Sequence, residues 1–172
     1  DIIDSGVIKV IRLNEIFRQA KESMIVVNAH EVNNGNYPRC NIKGKDFFYM
    51  SYPDANQGYE CILSLCSERL PKAYGYNNFD IQVLSPSKKG INGVHNLNNG
   101  LQSILNPADD SKHEKKYGDV VFREGDKVMQ IKNNYQLEWE IVSKYNIPID
   151  NGVGVFNGDI GIILSIETIN RE

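Results

Sequence analysis

Three groups of residues in this sequence have the right types for phosphate chemistry. The first is Ile16-Phe17-Arg18-Gln19-Ala20. An arginine beside a bulky anchor can reach a γ-phosphate across a domain boundary, where its planar guanidinium grips developing charge in bidentate fashion. Taken alone, a surface arginine on a helix is the better account of these few residues. The second group is the run IQVLSPSKKGING, from Ile81 to Gly93. It reads as a strand, a loop and the start of a helix. Ser85 and Ser87 bring hydroxyls, Lys88 and Lys89 bring charge, and Pro86 and Gly90 shape the turn. The glycines and the following helix N-terminus would offer N–H groups to an anion. Such a loop suits a nucleic-acid phosphate, which needs positive donors but no base reading. A solvated crossover loop explains the same residues about equally well. The third group is a polar helix face, His95, Asn98, Asn99 and Gln102. It could line a single-strand track, or simply face water.

Other chemistry is missing from the sequence. There is no G-x-x-x-x-G-K-S/T loop to cradle nucleotide phosphates. No Asp-Glu pair follows an apolar strand to hold Mg²⁺. His30, His95 and His113 are far apart, and none sits in a ligand pattern with Cys or Asp. No nucleophile elbow is visible. The chain is therefore not expected to hydrolyse a nucleotide by itself.

The elements that must position these groups follow from periodicity. Ser23 can cap a helix running to about Asn33, with Ile25, Ala29 and Val32 on one face and Gly35 as the stop. Asp46 to Tyr52 is aromatic and strand-like. Tyr59, Ile62, Leu63, Cys66 and Leu70 mark a helix from about Gln57 to Leu70, ended by Pro71. Phe79 to Leu84 reads as a short strand. Val94, Leu97, Leu101, Ile104 and Leu105 mark the next helix. Strand, helix, strand, helix predicts a parallel sheet with right-handed crossovers. Asp109 to Tyr117 reads as a charged loop. Beyond it, 120–122, 127–131, 154–156 and 160–169 read as strands, with turns at 124–126 and 157–159. This part predicts the sheet's last strand passing into a small antiparallel barrel.

The 172 residues are 41% hydrophobic, enough for a real core. The net charge is −3, which argues against a free-standing nucleic-acid binder. Between Ile81 and Leu105, however, Lys88 and Lys89 are the only charged side chains. Cys40, Cys61 and Cys66 have no metal-like spacing and predict reduced, mostly buried thiols in a cytoplasm. No run of 18 apolar residues exists, so no membrane span is expected. The start, Asp1-Ile2-Ile3-Asp4, has neither a basic leader nor a Met and suggests a piece of a longer protein.

Several strings, taken together, strongly resemble the RecD-like helicases of superfamily 1, the exodeoxyribonuclease V alpha-subunit family. They are LNEIFRQAKESMIVVNAHEVNNG (13–35), DFFYM (46–50), IQVLSPSKKGINGVHNLNNGLQSILNP (81–107), FREGDKVMQIKNNY (122–135) and GVFNGDIGII (154–163). The resemblance implies an ATP-dependent motor that walks 5′-to-3′ on single-stranded DNA in recombination and repair. Its fold would be α/β, a RecA-like parallel-sheet domain of the P-loop NTPase type. This would be the second motor domain, lacking the P-loop, with a partial inserted Src-homology-3-like β-barrel. Residues 1–12 would end the first motor domain, 13–132 would form the incomplete second one, and 133–172 the barrel. Arg18 matches the arginine that faces the ATP γ-phosphate, with Gln19 beside it. Ser85, Pro86, Lys89 and Gly90 match an S-P-x-x-x-G segment expected on the DNA backbone, with Lys88, His95 and Asn98 as neighbouring contacts. Relatives often carry Met and an aromatic or Arg after Ser-Pro, where this chain has Ser87-Lys88-Lys89. ATP and Mg²⁺ would act in the full-length protein, with neither expected on this piece alone. Expected partners are single-stranded DNA, the first motor domain and the other subunits of a nuclease–helicase complex. Two further classes fit the residues: a non-enzymatic interaction module of such a complex, and a stand-alone single-strand binder.

Overall fold

The computed structural model describes residues 2–11 and 23–167. The chain divides into two compact units, residues 1–51 and 52–172.

The first unit is organised by helix α1, Met24–Asn33. Its cap comes from further along the chain. Ser23 Oγ donates to Asp46 Oδ2, and the Met24 N–H donates to Asp46 Oδ1 at 2.6 Å. Asp46 thus supplies the acceptor that a capping side chain normally supplies, and Ser23 itself makes no cap bond. The Ser23 hydroxyl, more than any other group, holds the Asp46 carboxyl below its ordinary value; desolvation partly opposes it, and the Met24 amide adds to the lowering. A carboxylate with a lowered folded pKa stabilises above its unfolded pKa, and that contribution is lost as pH falls through the folded value. Protection of the first-turn amides of α1, taken relative to their intrinsic exchange rates, is therefore expected to hold down to about pH 4 and to fall below it. An Asp46→Asn chain should exchange faster at neutral pH and lose the acid dependence. Acid dependence surviving that change would assign the titration to another group.

The sequence groups Ile25, Ala29 and Val32 on one face of α1, and that face is not the buried one. Ile25 and Val32 are 54% and 56% exposed, while Met24 and Asn28 are buried. The cause is Asn28, whose amide donates to Arg39 O at 2.8 Å and accepts from Arg39 N at 2.9 Å. Two bonds to the main chain of one residue fix the helix rotation more tightly than a weakly apolar stripe could. The expected strand at 46–52 is also absent. Asn41 takes the place of a partner strand. Its amide donates to Tyr49 O and accepts from Tyr49 N, both at 2.9 Å.

In the second unit, α2 spans Ala55–Ser64 and is capped by Asp54, which accepts from Asn56 N. It passes through a π-helical turn, Leu65–Arg69, into α3, Leu70–Tyr74. Pro71 therefore does not end the helix as expected. The π turn resets the ladder, so the missing proline N–H falls in the first turn of α3, where no donor is needed. The helix ends at Gly75, whose φ of 71° is left-handed. Helix α4, Val94–Leu105, forms as expected. The buried core of this unit is Leu63 and Cys66 against Leu97. Burial pushes the Cys66 thiol up, partly opposed by the charge of Lys127.

The parallel sheet expected from the sequence does not form among the described residues. All three strand pairs are antiparallel. Residues 81–85 are extended but unpaired, with Leu84 88% exposed. A strand needs a neighbour to take its N–H and C=O groups. Here a side chain, Lys127, takes the carbonyls of Phe79 and Ile81.

The rest of the unit consists of three two-stranded ribbons. Strand β1, Glu114–Tyr117, pairs with β2, Val120–Arg123. Strand β3, Lys127–Met129, pairs with β6, Ile160–Ile162. Strand β4, Asn134–Val142, pairs with β5, Pro148–Val155, across two irregularities. Strands β1 and β4, and β5 ahead of Gly154, go beyond the expected set. Strand β1 replaces part of the expected charged loop, and all four of its residues are exposed.

Candidate functional site

The loop after the extended segment is built from its own carbonyls. Ser85 Oγ donates to Asn92 O at 2.7 Å, which ties the two ends of the loop together. Ser87 Oγ donates to Lys89 O at 3.1 Å. The Val94 N–H donates to Ser87 O at 3.0 Å, the His95 N–H to Lys88 O at 3.3 Å, and the Gly93 N–H to Gly90 O at 3.0 Å. The first two N–H groups of α4, those of Val94 and His95, are therefore capped by the loop. The helix start thus offers less to an anion than expected, and the lysine side chains are the charged donors left to a ligand.

Lys88 and Lys89 are exposed, and neither makes an ion pair among the described residues. Pro86 is exposed, and Gly90 holds a left-handed φ of 92°. Gly93 is required for a different reason. A Cβ there would stand 2.5 Å from the carbonyl carbon and oxygen of Lys89. The backbone carrying the second lysine lies directly on Gly93, so the close approach fixes where the charge projects.

His95 and Asn98 are exposed on α4 three residues apart, and so share a face beside the lysines. Gln102 leaves that set. Its amide donates to Val121 O at 2.9 Å and to Asp126 Oδ2 at 2.6 Å. Its role is to join α4 to the ribbons. Ser85 is likewise committed to the loop. The structure thus brings Ser85, Pro86, Lys88, Lys89, Gly90, His95 and Asn98 to one end of α4, with the lysines, His95 and Asn98 free to act outward. Arg18 and Gln19 lie outside the described residues.

Beneath the loop, an open cavity of about 540 Å³ is bounded by Ile81, Val83, Val94, Leu101, Val128 and Ile160. Its far wall is the β2–β3 turn. Asp126 there accepts from Gln102, from Asn106 Nδ2 at 2.8 Å and from Arg123 N at 2.8 Å. Arg123, only 8% exposed, donates from Nε to Glu114 Oε1 at 2.6 Å and from Nη1 to Asn106 O. Lys127 and Asn92 also shape the site, and motif reading passed over both. Asn92 donates to Ala55 O at 3.2 Å, which fixes the loop to the start of α2. The available signal for Lys127 was the Gly125-Asp126 turn placed directly before a strand. No group of three or more His, Cys, Asp or Glu among the described residues could hold a metal ion.

From α4 onward, residues 97–172 match the ATP-dependent RecD-like DNA helicase SH3 domain. The strand-rich part of this chain is accordingly similar to the SH3-like domain of RecD-like helicases. The ATP-dependent RecD2 DNA helicase of Deinococcus radiodurans is 29% identical over 159 residues, which is 91% of this chain and 18% of that protein. The resemblance carried by the sequence strings thus extends over nearly the whole chain, and the chain spans under one fifth of its relative's length. No helix among the described residues is long and apolar enough to cross a membrane.

Proposed function

We propose that this chain is part of an ATP-dependent DNA helicase that moves 5′-to-3′ along single-stranded DNA in recombination and repair. It supplies one half of the ATP site and part of the DNA track. The observation that carries the reading is the Lys88–Lys89 loop. Two cations with no ion pair among the described residues are held on a closed turn at the end of an extended segment, in a chain similar to a DNA helicase.

A rigid loop with charge but no base-reading side chains contacts phosphates irrespective of sequence, as a translocating protein requires. Within this reading, the residues from 13 up to the SH3-like match belong to a RecA-like second motor domain, and Arg18 with Gln19 faces the γ-phosphate of ATP held by the first. Mg²⁺ would be held by that first domain, as the resemblance to RecD-like helicases implies. This chain's contribution is to bind DNA through Lys88 and Lys89, with His95 and Asn98 alongside. Closing on ATP through Arg18 and releasing after hydrolysis would turn that grip into steps.

The test is the salt dependence of single-strand affinity in the full-length protein. Lys88→Ala/Lys89→Ala should weaken binding and reduce the slope of log K against log salt by about 1.4, the value for two lost phosphate contacts. A slope unchanged from wild type would remove the loop from the DNA track.

A further inference from the structure

We propose that Lys127, together with the adjacent Asp126, is a positioning residue that ties the β3–β6 ribbon to both stems of the lysine loop. The inference rests on the reading of that loop as a DNA contact.

The loop at 86–93 has two stems. One is the segment Phe79–Ser85, which leaves a turn at Phe79 and Asp80 and is extended from Ile81. The other is helix α4. Lys127 holds the first stem at its root. Its Nζ donates to Phe79 O and to Ile81 O, each at 2.8 Å, and stands 5.3 Å from the centre of the Phe79 ring. Asp126 holds the second. Its carboxylate takes the Gln102 amide at 2.6 Å and the Asn106 amide at 2.8 Å, both near the C-terminal end of α4. Two consecutive residues therefore grip both stems of one loop, across sequence separations of 20 to 48 residues.

The grip is anchored in the β3–β6 ribbon. Lys127 pairs with Ile162 and Val128 with Gly161 across it. Gly125 N donates to Ile163 O at 2.8 Å, and Ile163 N to Asp126 O at 3.0 Å. A displacement of β3 and β6 must pull on Phe79–Ile81 and on the end of α4 together. Because the loop is closed on itself by Ser85 and by the capping of α4, it moves as a body with its stems. Lysine suits the task, since one ammonium has three donors and can take two carbonyls and an aromatic face at once.

The experiment uses the full-length protein with Lys127→Met, which keeps the apolar stem and removes the donors, and Lys127→Arg, which restores them. Hydrogen exchange of residues 79–93 is read beside the single-strand concentration giving half-maximal ATPase. In Lys127→Met, exchange over 79–93 should accelerate by about tenfold, with β1–β2 unchanged. Half-saturation by DNA should rise roughly five- to tenfold at a kcat within about twofold of wild type. Lys127→Arg should recover most of both. Unchanged protection over 79–93 in Lys127→Met overturns the proposal. So does an equal loss of protection throughout 94–163 in both variants, which would mark Lys127 as generally structural. Lys88→Ala/Lys89→Ala separates the two ideas. If it leaves half-saturation unmoved, the DNA reading of the loop fails, while the exchange data still decide whether Lys127 holds it.

Discussion

Arg18→Ala in the full-length protein is expected to lower ATP turnover by about a thousandfold or more, with single-strand affinity within about twofold of wild type. The asymmetry follows from where the charge acts. A guanidinium aimed at the γ-phosphate stabilises charge that develops in the transition state and adds little to ground-state binding, so kcat falls rather than DNA affinity. Arg18→Lys should recover only a small part of the loss, because an ammonium has no planar fork to span two phosphoryl oxygens. Steady-state ATPase at saturating DNA, read beside equilibrium DNA binding, gives the answer directly. Near-wild-type turnover in Arg18→Ala would remove it from the mechanism, and a parallel loss of DNA affinity would make it structural instead.

That expectation and the lysine loop illustrate what could be read from residue types alone. Helix α4 has apolar residues at helical spacing between two clear boundaries, so its extent was legible, as were the turns at 124–126 and 157–159. The loop was legible as a cationic turn. Its internal wiring was not, because nothing in the pattern S-P-S-K-K-G says that the Ser87 and Lys88 carbonyls cap the helix that follows. The extended segments were read as strands because aromatic and β-branched runs fit a pleated surface. Pairing is a property of two segments, and in both cases a single polar side chain takes the main-chain groups first. Asn41 does so for Tyr49, and Lys127 for Phe79 and Ile81. Asn28 overrides the apolar stripe of α1 by the same means. These three residues act at separations of 8 to 48 along the chain, beyond the reach of periodicity. Strand β4 is a different case, since Leu137, Trp139 and Ile141 alternate within it. Its signal was present, but Glu138 and Glu140 between them, and exposure along its whole length, gave it no core to face.

The second large effect is expected at Arg123. Arg123→Ala should lower the free energy of local opening of β1–β2 and the end of α4 by about 2–3 kcal/mol. Arg123 is 8% exposed, and its guanidinium is shared between the Glu114 carboxylate and the Asn106 carbonyl. Truncation removes a bond to a charged group, leaves the Asn106 carbonyl without this donor and opens a void beside α4. The Glu114 carboxylate limits the loss, because it is 40% exposed and can turn to water. That exposure is why the estimate stays below the full cost of stranding a buried charge. Glu114→Gln should therefore cost under about 1 kcal/mol. Arg123→Lys should fall between the two, since an ammonium keeps the charge but cannot span both acceptors in the same geometry. Native-state hydrogen exchange resolves these differences locally, which a global melt of a larger protein would blur. If Arg123→Ala and Glu114→Gln cost the same, the ion pair alone would account for the stability, and the bond to Asn106 would be dispensable. A larger loss for Arg123→Ala places the weight on Asn106, the residue that also donates to Asp126 and so joins the arginine to the turn beside Lys127.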